Sequence, residues 1–478
     1  MVAHVTAARV AGLLGSWSGS GPAYSRLAEG IRLLISDGRI PPEARLPSER
    51  ELTAALGVSR TTVTGAYTTL RNRGFLASRR GAGSFVTLPA AGGHGHRGLT
   101  PGGVPDHLID LTCAAMPAAS GVAAAYEAAV EEMPALLATI GYEPLGLESL
   151  REIIAERYGR RGLPTSPDQV LVVAGGLAGV ALVLRAVVET GDRVMLESPT
   201  YANISSAVSR SGVRAVSAPV APDGWDIEVF ESTLRQAAPR AAVVIPDFHN
   251  PTGALMAAED RQALGRALAR THTMAIVDET LVDIFLDVED RDMPPPLAAF
   301  HPSGVVCVGS TSKSFWGGLR IGWIRAPEPL VSALLSARTG LDLGAAALEQ
   351  LVAERLLRDA SRVLGLQREL VRARRDALMS AVRARLPEWR FVRPAGGLAL
   401  WCELPKPLSN GLVAAAERHG VALVPGSRFS AYGGLERFVR LPYTLSEERL
   451  DQAVSGISQA WSEADVPAAY RPDRPLIA

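Results

Sequence analysis

The chain has 478 residues, of which 47% are hydrophobic and 21% charged, and its formal net charge is zero. This length exceeds what one hydrophobic core usually organises, so we expect two or three domains. The longest uncharged apolar stretch, residues 170–184, contains three glycines and is too short to span a membrane, and the N-terminus lacks the pattern of a signal peptide. The composition excludes a disordered chain, predicts no membrane partner and favours a cytoplasmic protein.

Cysteine and lysine usage both carry information. Cys113, Cys307 and Cys402 are scattered, a spacing that favours buried structural thiols over a metal site or a disulfide framework. Among 49 basic residues only Lys313 and Lys406 are lysines. An arginine stays protonated and cannot act as an amine nucleophile, so a lysine kept inside a motif indicates amine chemistry. Lys406 lies between two prolines, and the presence of a lysine there is interpreted as chance.

The first third of the chain begins with a helical pattern. Apolar residues recur at helical spacing over 24–35, and Ser48 with Glu51 forms a capping box that opens a second, short helix. Ser59 caps a third helix, and residues 75–86 indicate two short strands around a glycine-containing turn. This order predicts a helix-turn-helix followed by a β-hairpin wing.

Local charge favours nucleic acid as a partner of this region. Between residues 39 and 80 there are eight arginines and three glutamates, and the third helix opens with small hydrogen-bonding residues and an arginine. A helix that enters a major groove needs such residues at its leading end. A basic helical face can also be merely solvated, but here the arginines lie within a complete motif. The residues predicted to contact DNA are Arg45, Ser48, Arg50, Ser59, Arg60, Thr61, Thr62, Arg80, Gly81 and Gly83.

The segments 46–50, 56–63 and 81–86 together resemble the winged helix-turn-helix of the GntR superfamily. The resemblance implies a DNA-binding domain over 20–87 and a double-stranded operator as partner. Residues 88–108 are rich in Pro, Gly, Ala and His without periodicity, as is typical of a linker.

Beyond the linker, a domain over 109–467 is predicted. Short β-branched runs alternate there with helical segments, which predicts an α/β fold with a mostly parallel sheet covered by helices on both faces. A smaller α+β lobe is expected from about Asp342. The predicted strands are 170–173, 193–196, 241–245, 274–277, 305–308 and 321–324.

Several of these strands end in residues suited to pyridoxal 5'-phosphate (PLP). Lys313 follows the strand 305–308 and could form a Schiff base with the cofactor aldehyde, and Asp278 could keep the pyridine nitrogen protonated. Asn250 could reach the phenolic oxygen, and Tyr201 could stack on the ring. The residues predicted around the phosphate are Gly175, Gly176, Ser310, Ser312 and Arg320.

The order of these residues, with Ser-x-Ser-Lys followed by residues 316–323, resembles the aspartate aminotransferase fold, PLP fold type I. By this resemblance, Arg440 would clamp a ligand carboxylate and Tyr142 would reach a phosphate of the neighbouring subunit, which implies a homodimer. A GntR-type domain fused to an aminotransferase-like domain resembles the architecture of the MocR family of bacterial regulators. Within that family, the chain most resembles a YczR-like branch.

Two features depart from the fold's usual pattern. Thr280 and Leu281 stand where relatives commonly place a tyrosine, and Ala174 and Leu177 replace Ser and Gln around the glycine cup. Four hypotheses remain open: a PLP-dependent sensor of an amino compound, a working aminotransferase that also binds DNA, a sensor of PLP itself, and a domain that serves only dimerisation. The departures favour a sensor over turnover.

Overall fold

The computed structural model describes residues 5–15, 22–36, 40, 44–79, 83–87 and 103–464. Contacts divide the chain into two units. The first contains Met1–Thr112, Glu403–Val439 and Ala453–Ala478, and the second contains Cys113–Cys402 and Arg440–Gln452. Most of the predicted linker lies outside the described residues, so its boundaries stay a prediction.

The N-terminal part of the first unit has the predicted helices and hairpin, preceded by a helix that was not predicted. The Tyr67 hydroxyl donates to the Pro47 carbonyl over 2.8 Å, and Gly57, with φ of +65°, ends the second helix of the motif. The two strands pair antiparallel, with Leu76 opposite Val86. The elements are α1 (Ala7–Leu14), α2 (Ala23–Ser36), α3 (Glu49–Leu56), α4 (Arg60–Asn72), β1 (Leu76–Arg79), β2 (Gly83–Val86) and β3 (Ile109–Asp110).

The second unit alternates strands with helices. Its elements up to residue 278 are α5 (Val122–Leu137), α6 (Glu148–Arg160), β4 (Val170–Val173), α7 (Gly176–Val187), β5 (Arg193–Ser198), α8 (Ala202–Arg210), β6 (Arg214–Ala221), β7 (Gly224–Trp225), α9 (Ile227–Ala237), β8 (Ala241–Val244), α10 (Ala258–Thr271) and β9 (Met274–Asp278).

The chain then continues through both units. The elements are β10 (Val305–Ser310), β11 (Gly322–Arg325), α11 (Glu328–Arg338), α12 (Ala347–Arg358), α13 (Ala360–Arg385), β12 (Ala399–Glu403), α14 (Ser409–Arg418), β13 (Val421–Ala422), β14 (Val424–Pro425), β15 (Phe438–Pro442) and α15 (Glu447–Ala464).

The large sheet of the described residues has the strand order β4-β11-β10-β9-β8-β5-β6-β7. The strands from β10 to β6 are parallel, while β11 runs antiparallel to both of its neighbours and β7 runs antiparallel to β6. The predicted α/β class and mostly parallel sheet are therefore confirmed. Separate hydrophobic clusters cover the two faces of the sheet. Strands β6 and β7 were not predicted, because Ala, Ser and Pro interrupt the β-branched pattern of β6.

The sheet topology brings together the ends of strands that are distant in the chain. Asp278, at the end of β9, pairs with Val308 in β10, and Lys313 follows β10 by three residues. Carboxyl ends of parallel strands are the usual location of ligand sites in such sheets.

The cysteine prediction holds for two of the three thiols. Cys307 and Cys402 are buried, whereas Cys113 is partly exposed, so the expectation of a buried thiol is wrong at that position. None of the helices formed by the described residues combines the length and apolar character needed to cross a bilayer.

Candidate functional site

Lys313 lies at the carboxyl edge of the large sheet. Its Nζ donates to the carbonyl oxygen of Ala114 over 2.7 Å. Burial lowers the pKa of this amine below its ordinary value, and Arg440 and Arg320 act in the same direction, against the opposite influence of Cys113 and Asp278. A lowered pKa increases the fraction of neutral, nucleophilic amine at a given pH.

Asp278 ends the strand that pairs with β10, the strand before Lys313. Its Oδ1 accepts from the backbone N–H of Thr280 over 2.8 Å. Burial raises the pKa of Asp278, while the hydrogen bonds of Thr280 and the charge of Lys313 act in the lowering direction. A positively charged group next to Asp278 would stabilise the carboxylate in its charged form.

The N-terminus of α7 forms a cradle of donors at the same edge. Gly175 has a φ of +97°, and a Cβ there would collide with the guanidinium of Arg320. A Cβ at Gly176 would lie 2.9 Å from Thr280 Oγ1 and 3.4 Å from the Cβ of Ser310. The free N–H groups and dipole of a helix N-terminus, with an adjacent guanidinium and a hydroxyl, are donors suited to a phosphate.

The serines next to Lys313 contact each other. The Ser310 hydroxyl donates to Ser312 Oγ over 3.0 Å, and the backbone N–H of Ser312 donates to Ser310 Oγ over 3.2 Å. Ala174 and Leu177 are exposed beside the cradle and provide no side-chain donor there. At these two positions the cradle therefore has backbone donors only.

Arg440 and Asn250 meet in the second unit. Arg440 Nη1 donates to Asn250 Oδ1 over 3.2 Å, and Arg440 is only 4% exposed. Tyr201 accepts at its hydroxyl from Asn203 Nδ2 over 2.8 Å, and burial raises the pKa of that phenol, against the lowering influence of Arg440. The predicted residues Lys313, Asp278, Tyr201 and Arg440 thus influence one another electrostatically.

Buried charges lie behind these residues and were missed from the sequence. Glu197 accepts from Trp225 Nε1 over 2.7 Å and from the backbone N–H of Ile245 over 2.9 Å. His249, next to Asn250, places Nδ1 2.9 Å from Thr252 Oγ1. An acidic residue directly after the apolar run 194–196 was the signal that could have indicated Glu197.

A second buried network stands beside Asp278. Glu279 accepts from the Tyr158 hydroxyl over 2.7 Å and lies 3.4 Å from Arg161 Nη1. Arg261 Nη2 donates to Asp247 Oδ1 over 2.8 Å. Burial raises the pKa of Glu279, and the charge of Arg161 opposes the rise. Glu279 precedes Thr280, so this network anchors the segment that holds Asp278.

Tyr142, another predicted site residue, lies on the surface of the second unit. It is 59% exposed and lies in the segment between α5 and α6.

Thr280 occupies part of the space beside Gly176, whereas Leu281 is buried. The two positions where the resemblance leads us to expect a tyrosine thus carry a small hydroxyl and an apolar side chain.

The DNA-binding prediction concerns the first unit. Arg45, Arg50, Arg60 and Thr61 are exposed, and a Cβ at Gly83 would lie 3.1 Å from Arg45 Nε. Arg45 therefore lies against the hairpin. Arg80 and Gly81 lie outside the described residues.

All four predicted hydroxyls, those of Ser48, Ser59, Thr61 and Thr62, make hydrogen bonds at the starts of α3 and α4. Ser48 Oγ donates to Glu51 Oε2 over 2.8 Å and accepts from the Glu51 N–H over 3.2 Å. Ser59 Oγ accepts from the Thr62 N–H over 3.1 Å and lies 2.8 Å from Thr62 Oγ1. These hydroxyls position the starts of α3 and α4, and Arg50 and Arg60 beside them are exposed.

Comparison with known proteins identifies both parts of the chain. The family described as Aminotransferase class I and II matches residues 117–457. The chain belongs to this aminotransferase family. The family described as Bacterial regulatory proteins, gntR family, matches residues 23–86. The predicted architecture, a GntR-type DNA-binding domain joined to an aminotransferase-like domain, is confirmed.

Relatives with both parts are named as regulators. The chain is 28% identical over 469 residues to the uncharacterized HTH-type transcriptional regulator YdcR of Escherichia coli, covering 92% of this chain and 99% of that protein. It is 25% identical over 472 residues to the regulator YisV of Bacillus subtilis, covering 92% and 95%. The resemblance to MocR-type regulators is confirmed, and the finer assignment to a YczR-like branch stays a prediction.

Relatives that match only the aminotransferase-like part of the chain are named as enzymes. The chain is 33% identical over 328 residues to 2-aminoadipate transaminase of Thermus thermophilus, covering 67% of this chain and 80% of the enzyme. The crystal structure of LysN, the α-aminoadipate aminotransferase of the same organism, matches with a TM-score of 0.69 at 29% identity, covering 75% of this chain and 93% of that one. That structure contains N-(5'-phosphopyridoxyl)-L-leucine.

Proposed function

We propose that this regulator holds PLP on Lys313 and changes its affinity for a double-stranded DNA operator when an amino compound reaches the cofactor. The observation that carries the proposal is the position of Lys313, a partly buried amine of lowered pKa at the sheet edge that also holds Asp278 and the α7 cradle. Membership of the aminotransferase family supports the same cofactor.

Each group of the site has a role in this proposal. PLP supplies an aldehyde that condenses with amines and a ring that withdraws electrons when its nitrogen is protonated. Asp278 would face the protonated ring nitrogen, since burial raises its pKa and a cation there offsets that cost. Gly175, Gly176, Ser310, Ser312 and Arg320 would hold the phosphate, and Tyr201 would stack on the ring.

Arg440 and Asn250 would divide two tasks. Asn250 would donate through its amide nitrogen to the phenolic oxygen, while its Oδ1 accepts from Arg440. Arg440 would bind the carboxylate of an amino-acid effector through charge-assisted hydrogen bonds. The effector's amine would displace Lys313, whose freed amine can then carry a proton.

We further propose that the protein is a homodimer acting in the cytoplasm, where its operator lies. Leu137, Ile140, Tyr142, Leu341 and Leu343 expose more than half of their surface. The Gly344 segment touches Glu143, and Arg338 Nη1 donates to the Pro144 carbonyl over 2.7 Å, so these side chains belong to one region of the second unit. An apolar region of this kind is typical of a subunit interface, and Tyr142 within it would reach the partner's phosphate.

A working transaminase is the second candidate, favoured by the 33% identity to 2-aminoadipate transaminase. Lys313 could move a proton in that reaction as well. Formation of a keto acid from an amino donor, dependent on Lys313, would establish turnover. Absence of product together with an amino-acid effect on operator binding would establish sensing.

The chain itself provides the control for the cofactor test. PLP added to purified protein should produce a new absorption band, distinct from that of free PLP, as the aldehyde condenses with an amine of the protein. Lys313→Ala should abolish the band, and Lys406→Ala, which removes the remaining lysine, should retain it. Borohydride reduction should then place the cofactor mass on the Lys313 peptide alone. A wild-type protein without this band contradicts the proposal.

A further inference from the structure

The opposite edge of the large sheet carries a group of arginines that the proposed cofactor site does not use. Arg193 begins β5, Arg214 begins β6, and Arg240 precedes β8 by one residue. These strands are neighbours in the sheet. Because β5 runs about 15–20 Å from its first to its last residue at roughly 3.3 Å per residue, this edge is remote from Lys313.

The three arginines form one row across the strands. Arg193 is the register partner of Arg214, and the Arg240 N–H donates to the Arg193 carbonyl over 2.8 Å. Residues paired across adjacent strands direct their side chains to the same face, with strands about 4.8 Å apart. The backbones of the three arginines therefore span roughly 10 Å.

A cavity of about 430 Å³ opens at this row, and its lining includes Arg193, Arg214, Arg240, Asp192 and His272. Its size falls within the range of small-molecule sites, roughly 300–1,000 Å³.

The charges in the cavity are unbalanced. Among described acidic residues, none forms an ion pair with Arg193, Arg214 or Arg240. Arg240 Nε donates to the Val187 carbonyl over 3.1 Å, and Asp192 Oδ2 accepts from the Glu189 N–H over 2.9 Å. Three exposed cations thus face one carboxylate that is already hydrogen-bonded.

Arg193 and Arg214 place two like charges side by side on paired strands. An anion with several charged groups would be attracted to both. Guanidinium groups bind phosphate oxygens bidentately, and a row of three matches an extended chain of phosphates better than a single one.

We propose that this cavity, the arginine pocket, binds a small molecule that carries a di- or triphosphate group. The phosphate chain would lie along Arg193, Arg214 and Arg240. Inorganic polyphosphate and a nucleoside triphosphate share this chemistry. The pocket is a second ligand site of the regulator, separate from the proposed cofactor site and independent of whether PLP binds.

The test uses the full-length protein, with tripolyphosphate and magnesium-free ATP as separate probes in isothermal titration calorimetry. Wild type should bind at least one probe saturably, and R193Q/R214Q should bind it at least tenfold more weakly. Tighter binding of ATP would assign a nucleotide, and equal binding of the two probes would assign the phosphate chain alone. R160Q/R390Q, which removes two exposed arginines elsewhere in the same unit, should bind as wild type does.

A second measurement uses wild type alone and therefore tests the proposal even if the double variant does not fold. Hydrogen exchange of wild type should slow with tripolyphosphate at 190–193, 238–240 and 271–272. Protection confined to other segments, equal binding by R193Q/R214Q, or no saturable binding by wild type would overturn the proposal. So would a loss of operator affinity in R193Q/R214Q without any probe, as large as that in Arg60→Ala, because the arginines would then serve DNA.

Discussion

Arg440 and Asn250, separated by 190 positions in the chain, are joined by a hydrogen bond of 3.2 Å between Nη1 and Oδ1. The residue proposed to bind the effector's carboxylate therefore touches a residue proposed to bind the cofactor. An effector that draws on Arg440 will change the hydrogen bonding of Asn250, which gives the site a direct route by which ligand and cofactor influence each other.

Arg440→Gln should separate effector binding from cofactor binding. A charged hydrogen bond contributes about 1.5–3 kcal/mol, so an amino-acid effector should bind roughly 10–100-fold more weakly. The PLP absorption band should remain, and titration of that band with amino acids measures the effect. An amine without a carboxylate serves as the control ligand, since its affinity should not fall. Equal losses for both ligand types would contradict the assigned role.

Attachment of PLP should depend on pH through Lys313. The pKa of this amine is lowered by burial, so the neutral form persists to lower pH than in an ordinary lysine. The rate of band formation should rise with pH and level off below about pH 10.4, the usual lysine value. Stopped-flow absorption measures the profile, and Lys406→Ala should leave it unchanged. A midpoint at or above the ordinary value would refute the shift.

Asp278→Asn should stabilise the cofactor-free protein while weakening PLP binding. The folded-state pKa of Asp278 lies above its ordinary value, so the folded state holds the proton more tightly and stability falls as pH rises through that window. The variant removes this loss, so its gain in unfolding temperature should appear as pH rises above the ordinary carboxyl pKa and level off above the folded-state pKa. Asp223→Asn, at an exposed position, is the control. A gain largest at low pH would contradict the sign.

Glu436→Gln should destabilise the first unit. Arg32 in α2 is bonded to both Glu436 and Glu29, and Asn410 Nδ2 donates to Glu436 over 3.1 Å. Arg32 and Glu436 are buried, so loss of one charge should cost about 1–3 kcal/mol, less than for an isolated buried pair because Glu29 remains. Denaturant unfolding measures the change.

The control for this pair is Glu29→Gln, because the Glu29 side chain is 46% exposed. Its effect should be smaller than that of Glu436→Gln. A double-mutant cycle with Arg32→Ala isolates the Arg32–Glu436 interaction. Additive changes in the cycle would mean that the pair does not stabilise this unit.

Arg60→Ala should weaken operator binding. Arg60 is exposed at the start of α4, and loss of a base or phosphate contact typically costs about 1–3 kcal/mol. Wild-type affinity should also fall steeply with salt, since phosphate contacts release counterions. Fluorescence anisotropy with the upstream DNA of its own gene measures both effects, with Arg390→Ala as control. Affinity that is indifferent to salt would count against phosphate contacts.

Local signals determined much of this protein in advance. The capping box at Ser48 and the cap at Ser59 define where α3 and α4 start, because cap hydrogen bonds join residues three positions apart. Lys313 stood out because the chain otherwise uses arginine for positive charge. Strand β6 was missed, since its stability comes from pairing with β5 rather than from its own composition.

The sequence by itself determined the two kinds of domain, the α/β class and the residue types that PLP chemistry requires, because each of these is recorded in local motifs. Only the tertiary structure decided that Lys313 donates to Ala114, that Thr280 borders Gly176, and that Arg440 reaches Asn250. It also aligned the arginines that begin β5 and β6 with the arginine that precedes β8. Such contacts follow from strand order and register, which are set by burial summed over the whole sheet and not by any one segment.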